Sequence, residues 1–449
     1  MANPAELRER NLGLILSEIC AGARPGAVAP SRAQIARRTG LHKTTVSQLA
    51  DELLVSGLIT ELAPAAPTRS GRPALPLAPS PGRLVGLGME VNVEYLGLKA
   101  VDLGGVTQAE RLVAGDWRRT EPEVVLEQLA NLGLEVIDSL EANGTEVVGI
   151  GLALPGLTTT AGDQQVLLQA PNLGWRELDL RPFRDRLGRP LTLDNEANLA
   201  ARAEARLAGP DPAERSFVYL SAEVGIGAGL VSDADLIAGL HGWAGEIGHV
   251  TVDPSGPACT CGARGCLEVY AGRRAIARAL GLPETAGPGE ALAALSAGSV
   301  GASAGATSEW ADGLAGAGSQ AAPVFGQGAA KGRDATAGPA PGSLLQPVVD
   351  ALAVALGGVL NLLDMTQVVL GGDYAVLAPV LAQPLSSALE RRSLAARWGG
   401  AKVAVRAGRA GPRPAMDGAA WAVLDGVLAN PAAQLPAPCA RRPAPKLSR

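Results

Sequence analysis

One histidine and three cysteines fall within a single stretch, His249 to Cys266, of a chain that has only 3 His and 5 Cys in 449 residues. His249, Cys259, Cys261 and Cys266 offer one imidazole and three thiolates, which fill the tetrahedral shell of Zn²⁺ and leave no position open for a catalytic water. The metal expected here is structural, a brace for a loop. Gly262 and Gly265 let the backbone turn between the ligands. The alternative is free or disulfide-bonded cysteines. Cys259 and Cys261 stand too close to pair comfortably, and a third thiol would be left over. A second chemistry lies near the N-terminus, where Lys43, Thr44, Thr45, Ser47 and Gln48 occupy the first half of an expected helix. Thr, Ser and Gln can hydrogen-bond base edges in a major groove, and Lys reaches guanine or phosphate. Arg69 and Arg72 follow in a basic turn suited to phosphates or the minor groove.

The stretch Gly245-Glu246-Ile247-Gly248-His249, followed by Cys-x-Cys-Gly-x-x-Gly-Cys-Leu-Glu, resembles the signature of the ROK family (repressors, open reading frames, kinases). The resemblance runs from the N-terminal helices to Leu370-Gly371-Gly372. It implies a two-lobed sugar-kinase-like body whose sugar pocket is lined by Asn172, Asn195, Glu196, Glu246, His249 and Glu268. Paired donors and acceptors of this kind suit a polyol. His249 would hold zinc through one ring nitrogen and address the sugar with the other.

The family's phosphate chemistry is missing. Its Asp-x-Gly-Gly-Thr turn after the first strand is replaced by Glu90-Val91-Asn92-Val93-Glu94, and its Gly-Thr-Gly-Ile-Gly loop by Glu223-Val224-Gly225-Ile226-Gly227. Acidic side chains repel phosphate, where a phosphate cradle needs close backbone N–H groups. The family's Asp-Asn-Asp-Ala-Asn is Asp194-Asn195-Glu196-Ala197-Asn198 here, which puts the catalytic carboxylate on a longer arm. No catalytic residue is assigned.

The elements that position these residues can be read from their ends. Asn3 with Pro4 opens a first helix, Ser31-Arg32-Ala33-Gln34 is a capping box for a second, and Gly40 stops it. After the turn, Val46, Leu49, Leu53 and Leu54 line one face of a third helix that ends near Gly57. With a strand over 58–62 and the basic turn, residues 1–72 read as a winged helix-turn-helix. Pattern alone leaves open a small helical docking module. His42 stands where the resemblance implies Ser at the start of the recognition helix. Prolines mark 73–82 as a linker. Residues 83–430 read as an α/β, actin-like body, with strands over 84–90, 94–102 and 147–153, a helix over 344–363, a strand over 367–370 and a terminal helix over 416–428. The turn Asp102-Leu103-Gly104-Gly105 is a hairpin turn. An Ala/Gly/Ser-rich insertion over 283–341 is expected to be flexible, and 431–449 to form a disordered tail.

A hydrophobic content of 47% is ample for more than one lobe. The net charge is −5, but residues 1–72 hold nine basic against six acidic side chains, so a basic segment precedes an acidic body. The first ten residues carry mixed charge and no apolar export segment, and 344–363 is interrupted by Gln346, Pro347, Asp350 and Asn361. Reduced cysteines then point to the cytoplasm, with no membrane partner. The expected protein is a sugar-responsive repressor of carbohydrate-utilisation genes, a homodimer or homotetramer bound to operator DNA and to a monosaccharide or sugar derivative. Two other readings stay open: a sugar kinase fused to a DNA-binding domain, and a regulator controlled by a protein partner.

Overall fold

Asn3 accepts a hydrogen bond from Ala5 N ahead of α1 (Pro4–Ala21). Both halves of the capping box form at α2 (Arg32–Thr39), Gly40 ends that helix at φ 72°, and α3 (Lys43–Val55) follows. Leu12, Ile15, Leu16 and Ile19 of α1 meet Ile35, Val46, Leu49 and Leu53 in one buried cluster. Leu54 is only half-buried at the edge of that face. The computed structural model describes residues 3–24, 26–63, 75–161, 164–209, 211–297 and 344–435.

The expected linker needs correction. β1 (Ile59–Glu61) pairs antiparallel with β2 (Leu77–Pro79), so part of 73–82 is the return strand of the wing. Leu77 is fully buried, and Pro79 ends a two-stranded ribbon where its missing N–H breaks no central ladder. The expected basic wing residues Arg69 and Arg72 lie outside the described residues, as do 298–341 of the insertion and 436–449 of the tail. The start of the insertion is folded. α9 (Pro288–Ala297) places Ala291 and Leu295 in a core cluster, because alanine, weak as an apolar signal, is the best helix former. At the other end Pro431 is buried in a short 3-10 turn, Pro431–Gln434.

The body repeats one plan twice. β3 (Leu84–Val91), β4 (Tyr95–Asp102) and β5 (Thr107–Ala114) form an antiparallel meander, which β6 (Glu146–Leu154) and β10 (Leu191–Asn195) extend in parallel. The hairpin turn at 102–105 forms as expected: Asp102 Oδ1 accepts from Gly104 N and Val106 N. β7 (Leu157–Ala161), β8 (Gln164–Ala170) and β9 (Trp175–Asp179) make a small antiparallel sheet. In the second lobe β11 (Phe217–Ala222), β12 (Ile226–Ser232) and β13 (Asp235–Leu236) are the meander, and β14 (Gln367–Gly371) and β15 (Ala404–Ala407) the parallel extension.

α4 (Pro122–Ala142) and α5 (Arg181–Leu187) pack into the first-lobe core. α7 (Leu267–Ala271), α8 (Arg273–Ala279), α10 (Gln346–Leu363) and α11 (Gly372–Glu390) pack into the second, with α12 (Leu394–Gly399) at its edge. By length and composition α10 is apolar enough to cross a membrane; Val348, Leu352, Leu356 and Leu360 instead fill the second-lobe core.

Between the lobes lie α6 (Glu196–Arg206) and α13 (Pro414–Ala429), in a cluster that includes Leu199, Tyr219, Val369 and Ala419. α13 is the central strut. It packs so close on β3 that a Cβ at Gly88 would come within 1.9 Å of Met416 O. At its C-terminal end Leu424 and Leu428 join the α1 cluster, where a Cβ at Gly13 would stand 2.6 Å from Leu428 O. The N-terminal domain is therefore docked on the body through shared core.

Candidate functional site

Where β10 runs into α6, Asn195 caps the helix. Its Oδ1 accepts from Ala197 N at 2.7 Å, and its Nδ2 donates to Gly156 O at 2.8 Å. This fixes both Asn195 and the adjoining Glu196 at a cleft of about 520 Å³. Asn172 enters from the β8–β9 turn, Glu246 and His249 from the loop after β13, and Glu268 from α7. All six residues expected to bind sugar line this one cleft. Asn172 Nδ2 and Glu268 Oε2 lie 3.4 and 3.6 Å from the point a Cβ at Gly225 would occupy, so distant segments converge there. The indole of Trp243 donates to Thr158 O at 2.9 Å and ties the Glu246 loop to the small sheet. A mixed lining of amides, carboxylates and imidazole can satisfy hydroxyls that both donate and accept.

Sequence reasoning missed Gln169, Arg176 and Thr260, which also line the cleft. It also missed Asn198, 2% exposed and beside the cleft, whose Nδ2 donates to Asp194 Oδ1 while its Oδ1 has no partner among the described residues. Asn198 was visible as the last letter of the Asp-Asn-Glu-Ala-Asn motif, one helical turn after Asn195. Arg176 had no local signal.

Against the cleft sits the cysteine loop. The ligand atoms of His249, Cys259, Cys261 and Cys266 all lie within 4.8 Å of one another. Cys261 Sγ and Cys266 Sγ are 3.7 Å apart, and Cys259 Sγ stands 3.8 Å from His249 Nδ1. A tetrahedral site with metal–sulfur bonds of about 2.3 Å has edges of about 3.7 to 3.8 Å, so these four residues could hold one metal ion. Because Nδ1 faces the sulfurs, Nε2 is the nitrogen left for the cleft. Glu268 Oε1 accepts from Cys259 Sγ at 2.9 Å, which links the loop to a cleft residue. Tyr270 Oη donates to Asp253 Oδ2 at 3.0 Å and anchors the same loop to α7.

On α3, Lys43, Thr44 and Gln48 are exposed, and Thr45 and Ser47 half-buried. His42 takes over the capping role: Nδ1 lies 2.8 Å from Thr44 Oγ1 and 3.4 Å from Thr44 N. Arg32 pins α2 to Asp51 of α3 and Glu61 of β1, at 2.9 and 2.6 Å, so the exposed half of α3 rests on a braced frame.

The sequence profile of the ROK family matches residues 95–425. The chain belongs to the ROK family. The xylose repressor of Bacillus subtilis (strain 168) is 30% identical over 284 residues, spanning 62% of this chain and 70% of that protein. A crystal structure of a ROK family transcriptional regulator, homolog of the E. coli MLC protein, shares the fold at TM-score 0.67 and 24% identity, covering 94% of this chain and 98% of that one. The ROK hexokinase of Thermus thermophilus matches at TM-score 0.53 and 25% identity, over 78% of this chain and 98% of that one. Repressors and kinases thus both stand among the relatives.

Against the ROK pattern, the two positions where the sequence lacks phosphate turns meet in space. Glu90, Glu196 and Glu223 line a small cavity of about 20 Å³, with Tyr95 and Arg413. Tyr95 Oη donates to Glu90 Oε1 at 2.8 Å, and Asn92 Nδ2 to Glu223 Oε2 at 2.5 Å; Glu90 Oε2 is buried with no partner among the described residues. Burial, with Glu223 beside it, pushes the Glu90 carboxyl up to about 8. Burial and the same neighbours raise Glu196 well above the usual carboxylate range, and burial raises Glu223. Glu196 lines both the cleft and this acidic cavity.

Proposed function

We propose that this ROK protein is a sugar-responsive transcriptional repressor of carbohydrate-utilisation genes that binds a monosaccharide or sugar derivative and does not phosphorylate it. The observation that carries the reading is the pair of neighbouring cavities: six polar residues converge on a sugar-sized cleft, and the adjoining space is filled by Glu90 and Glu223. A nucleotide phosphate entering there would meet buried carboxyl side chains where a phosphate cradle needs close backbone N–H groups, and its charge would further oppose their ionisation. Asn172, Asn195, Glu196, Glu246, His249 and Glu268 are the proposed sugar ligands. His249, Cys259, Cys261 and Cys266 are the proposed zinc ligands, and the ion's contribution is to hold the loop that carries His249 and leads into Glu268. Operator DNA is assigned to Lys43, Thr44, Thr45, Ser47 and Gln48, with Arg69 and Arg72, which fall between β1 and β2 in sequence.

Coupling follows contiguous elements. Glu196 begins α6, α6 lies against α13, and α13 ends in the core of the N-terminal domain. A sugar that binds one arrangement of these elements better than another shifts operator affinity by that difference. The repressor works in the cytoplasm, as a homodimer or homotetramer, residues 1–82 reading DNA and the body sensing sugar.

The experiment pairs a thermal-shift series with an ADP-release assay, with xylose first because a relative is a xylose repressor. A cognate sugar at about 100 times its Kd adds roughly 2.7 kcal/mol to native stability. A raised Tm without ADP release is expected. Turnover at an ordinary kinase rate, on the order of 1–100 s⁻¹, would reverse the reading in favour of a kinase.

A further inference from the structure

A second cavity, about 340 Å³, opens between the N-terminal domain and the body and shares no lining residue with the sugar cleft. Four cations line it: Arg24 just after α1, Lys99 on β4, Arg206 at the end of α6, and Arg409 in the loop after β15. Asp417 is the one carboxylate among the lining residues, and Lys99 Nζ already holds it at 2.8 Å. Arg206 Nη1 pairs with Asp425 at 2.6 Å, and its guanidinium lies 3.5 Å from the centre of the Trp421 ring. Arg409 touches Glu214 only at 3.4 Å with its side chain half exposed. Arg24, half-buried, has no carboxylate within ion-pair distance among the described residues. Burial lowers the pKa of Arg24, with Arg215 adding to the shift and Cys20, Asp425 and Glu18 opposing it; burial likewise lowers that of Arg206, with Asp425 opposing and Arg24 adding. Among the described residues Arg24 thus lacks a counter-ion and Arg409 is only loosely paired, which leaves this wall of the cavity open to an anion.

We propose that the cavity is a second ligand site, for a small phosphorylated metabolite whose phosphate is held by Arg24, Lys99, Arg206 and Arg409. Arginine forks and a lysine ammonium match phosphate oxygens in both geometry and charge. The volume reaches the range of ordinary small-molecule sites, which begins at about 300 Å³, so a bare phosphate leaves room. Leu103, Leu207 and the Trp421 face would cover the organic part. Because Arg24 belongs to the N-terminal domain and the other three cations to the body, the ligand fastens the two in the arrangement described here. That regulatory consequence rests on the operator-binding reading; the binding itself does not.

Isothermal titration calorimetry of the full chain in phosphate-free buffer tests the site, with glucose 6-phosphate, ribose 5-phosphate, inorganic phosphate and glucose as probes. Either sugar phosphate should bind wild type and Glu246→Gln alike, inorganic phosphate more weakly, and Arg24→Gln or Arg409→Gln at least tenfold more weakly than wild type. Arg24 has no ion pair to lose, so its variant should keep the wild-type Tm. Absence of sugar-phosphate binding, or unchanged affinity in both arginine variants, overturns the proposal. Loss of binding in Glu246→Gln alone would place the phosphate compound in the sugar cleft. Inorganic phosphate binding as tightly as the sugar phosphates would reduce the site to one for an inorganic ion. Binding without any change in operator affinity would keep the site and remove the regulatory consequence.

Discussion

Glu90 carries a buried carboxyl oxygen without a partner among the described residues, at the end of the strand that leads into the turn expected from the resemblance to cradle phosphate in a kinase. Its pKa near 8 means that, between about 4.5 and 8, the folded protein holds a proton the unfolded chain has released. Stability therefore falls as pH rises through that window, by up to about 1.4 kcal/mol per pH unit for one such group. Glu90→Gln keeps an acceptor for Tyr95 and removes the titration. Its Tm should exceed that of wild type at pH 8 and match it near pH 5; equal pH profiles for the two proteins would refute the assignment. At the cysteine loop, Cys261→Ser should lose bound zinc by metal analysis, and sugar affinity with it, because Glu268 lies two residues after Cys266. Full sugar affinity in a zinc-free variant would show that the brace is unnecessary. The clustering of His249, Cys259, Cys261 and Cys266 was legible because the four residues lie close in sequence. The acidic cavity was legible only as three separate departures from a pattern, since strand pairing and lobe packing bring Glu90, Glu196 and Glu223 together. Arg176 could not be found at all, because it stands on β9 and its direction is fixed by the β8–β9 register.

Caps and punctuation made the N-terminal helices readable: Asn3, the Ser31–Gln34 box and Gly40 each act within a few residues. β2 was hidden because Pro73, Pro76, Pro79 and Pro81 look like a linker, and only its pairing with β1 makes a strand of it. α9 was hidden because alanine and glycine say little about burial. On α3, Lys43→Ala should weaken operator binding about equally for all sequences and lower the salt slope by about one, whereas Gln48→Ala should relax preference at one base pair at a cost of roughly 1–3 kcal/mol. Fluorescence anisotropy against salt and against single-base variants separates the two. Sequence-independent loss from both substitutions would mean that α3 contacts the backbone only. Arg273 of α8 joins the lobes through Glu94 at 2.6 Å and Asp373 at 2.6 Å. This clamp holds the β3–β4 turn against the second lobe.

Across the whole molecule, one helix connects the parts. α13 packs backbone to backbone on β3, touches α6, and ends among Leu12, Ile15 and Leu16 of α1. A close-packed strut of this kind passes on small displacements, because its contacts cannot yield without overlap. The two-lobed plan was legible from the strand sequence and the resemblance; the seating of the N-terminal domain on α13 was not, since the apolar faces of both helices read simply as core. The central claim, that sugar in the cleft sets operator affinity, is met most directly by one titration. A duplex selected by the protein from a random pool is bound with and without the sugar found by thermal shift, using wild type and Glu246→Ala. The account predicts a sugar-dependent change in operator affinity of fivefold or more in wild type, and unchanged sugar-free affinity with no sugar response in Glu246→Ala. An intact sugar response in Glu246→Ala would contradict it.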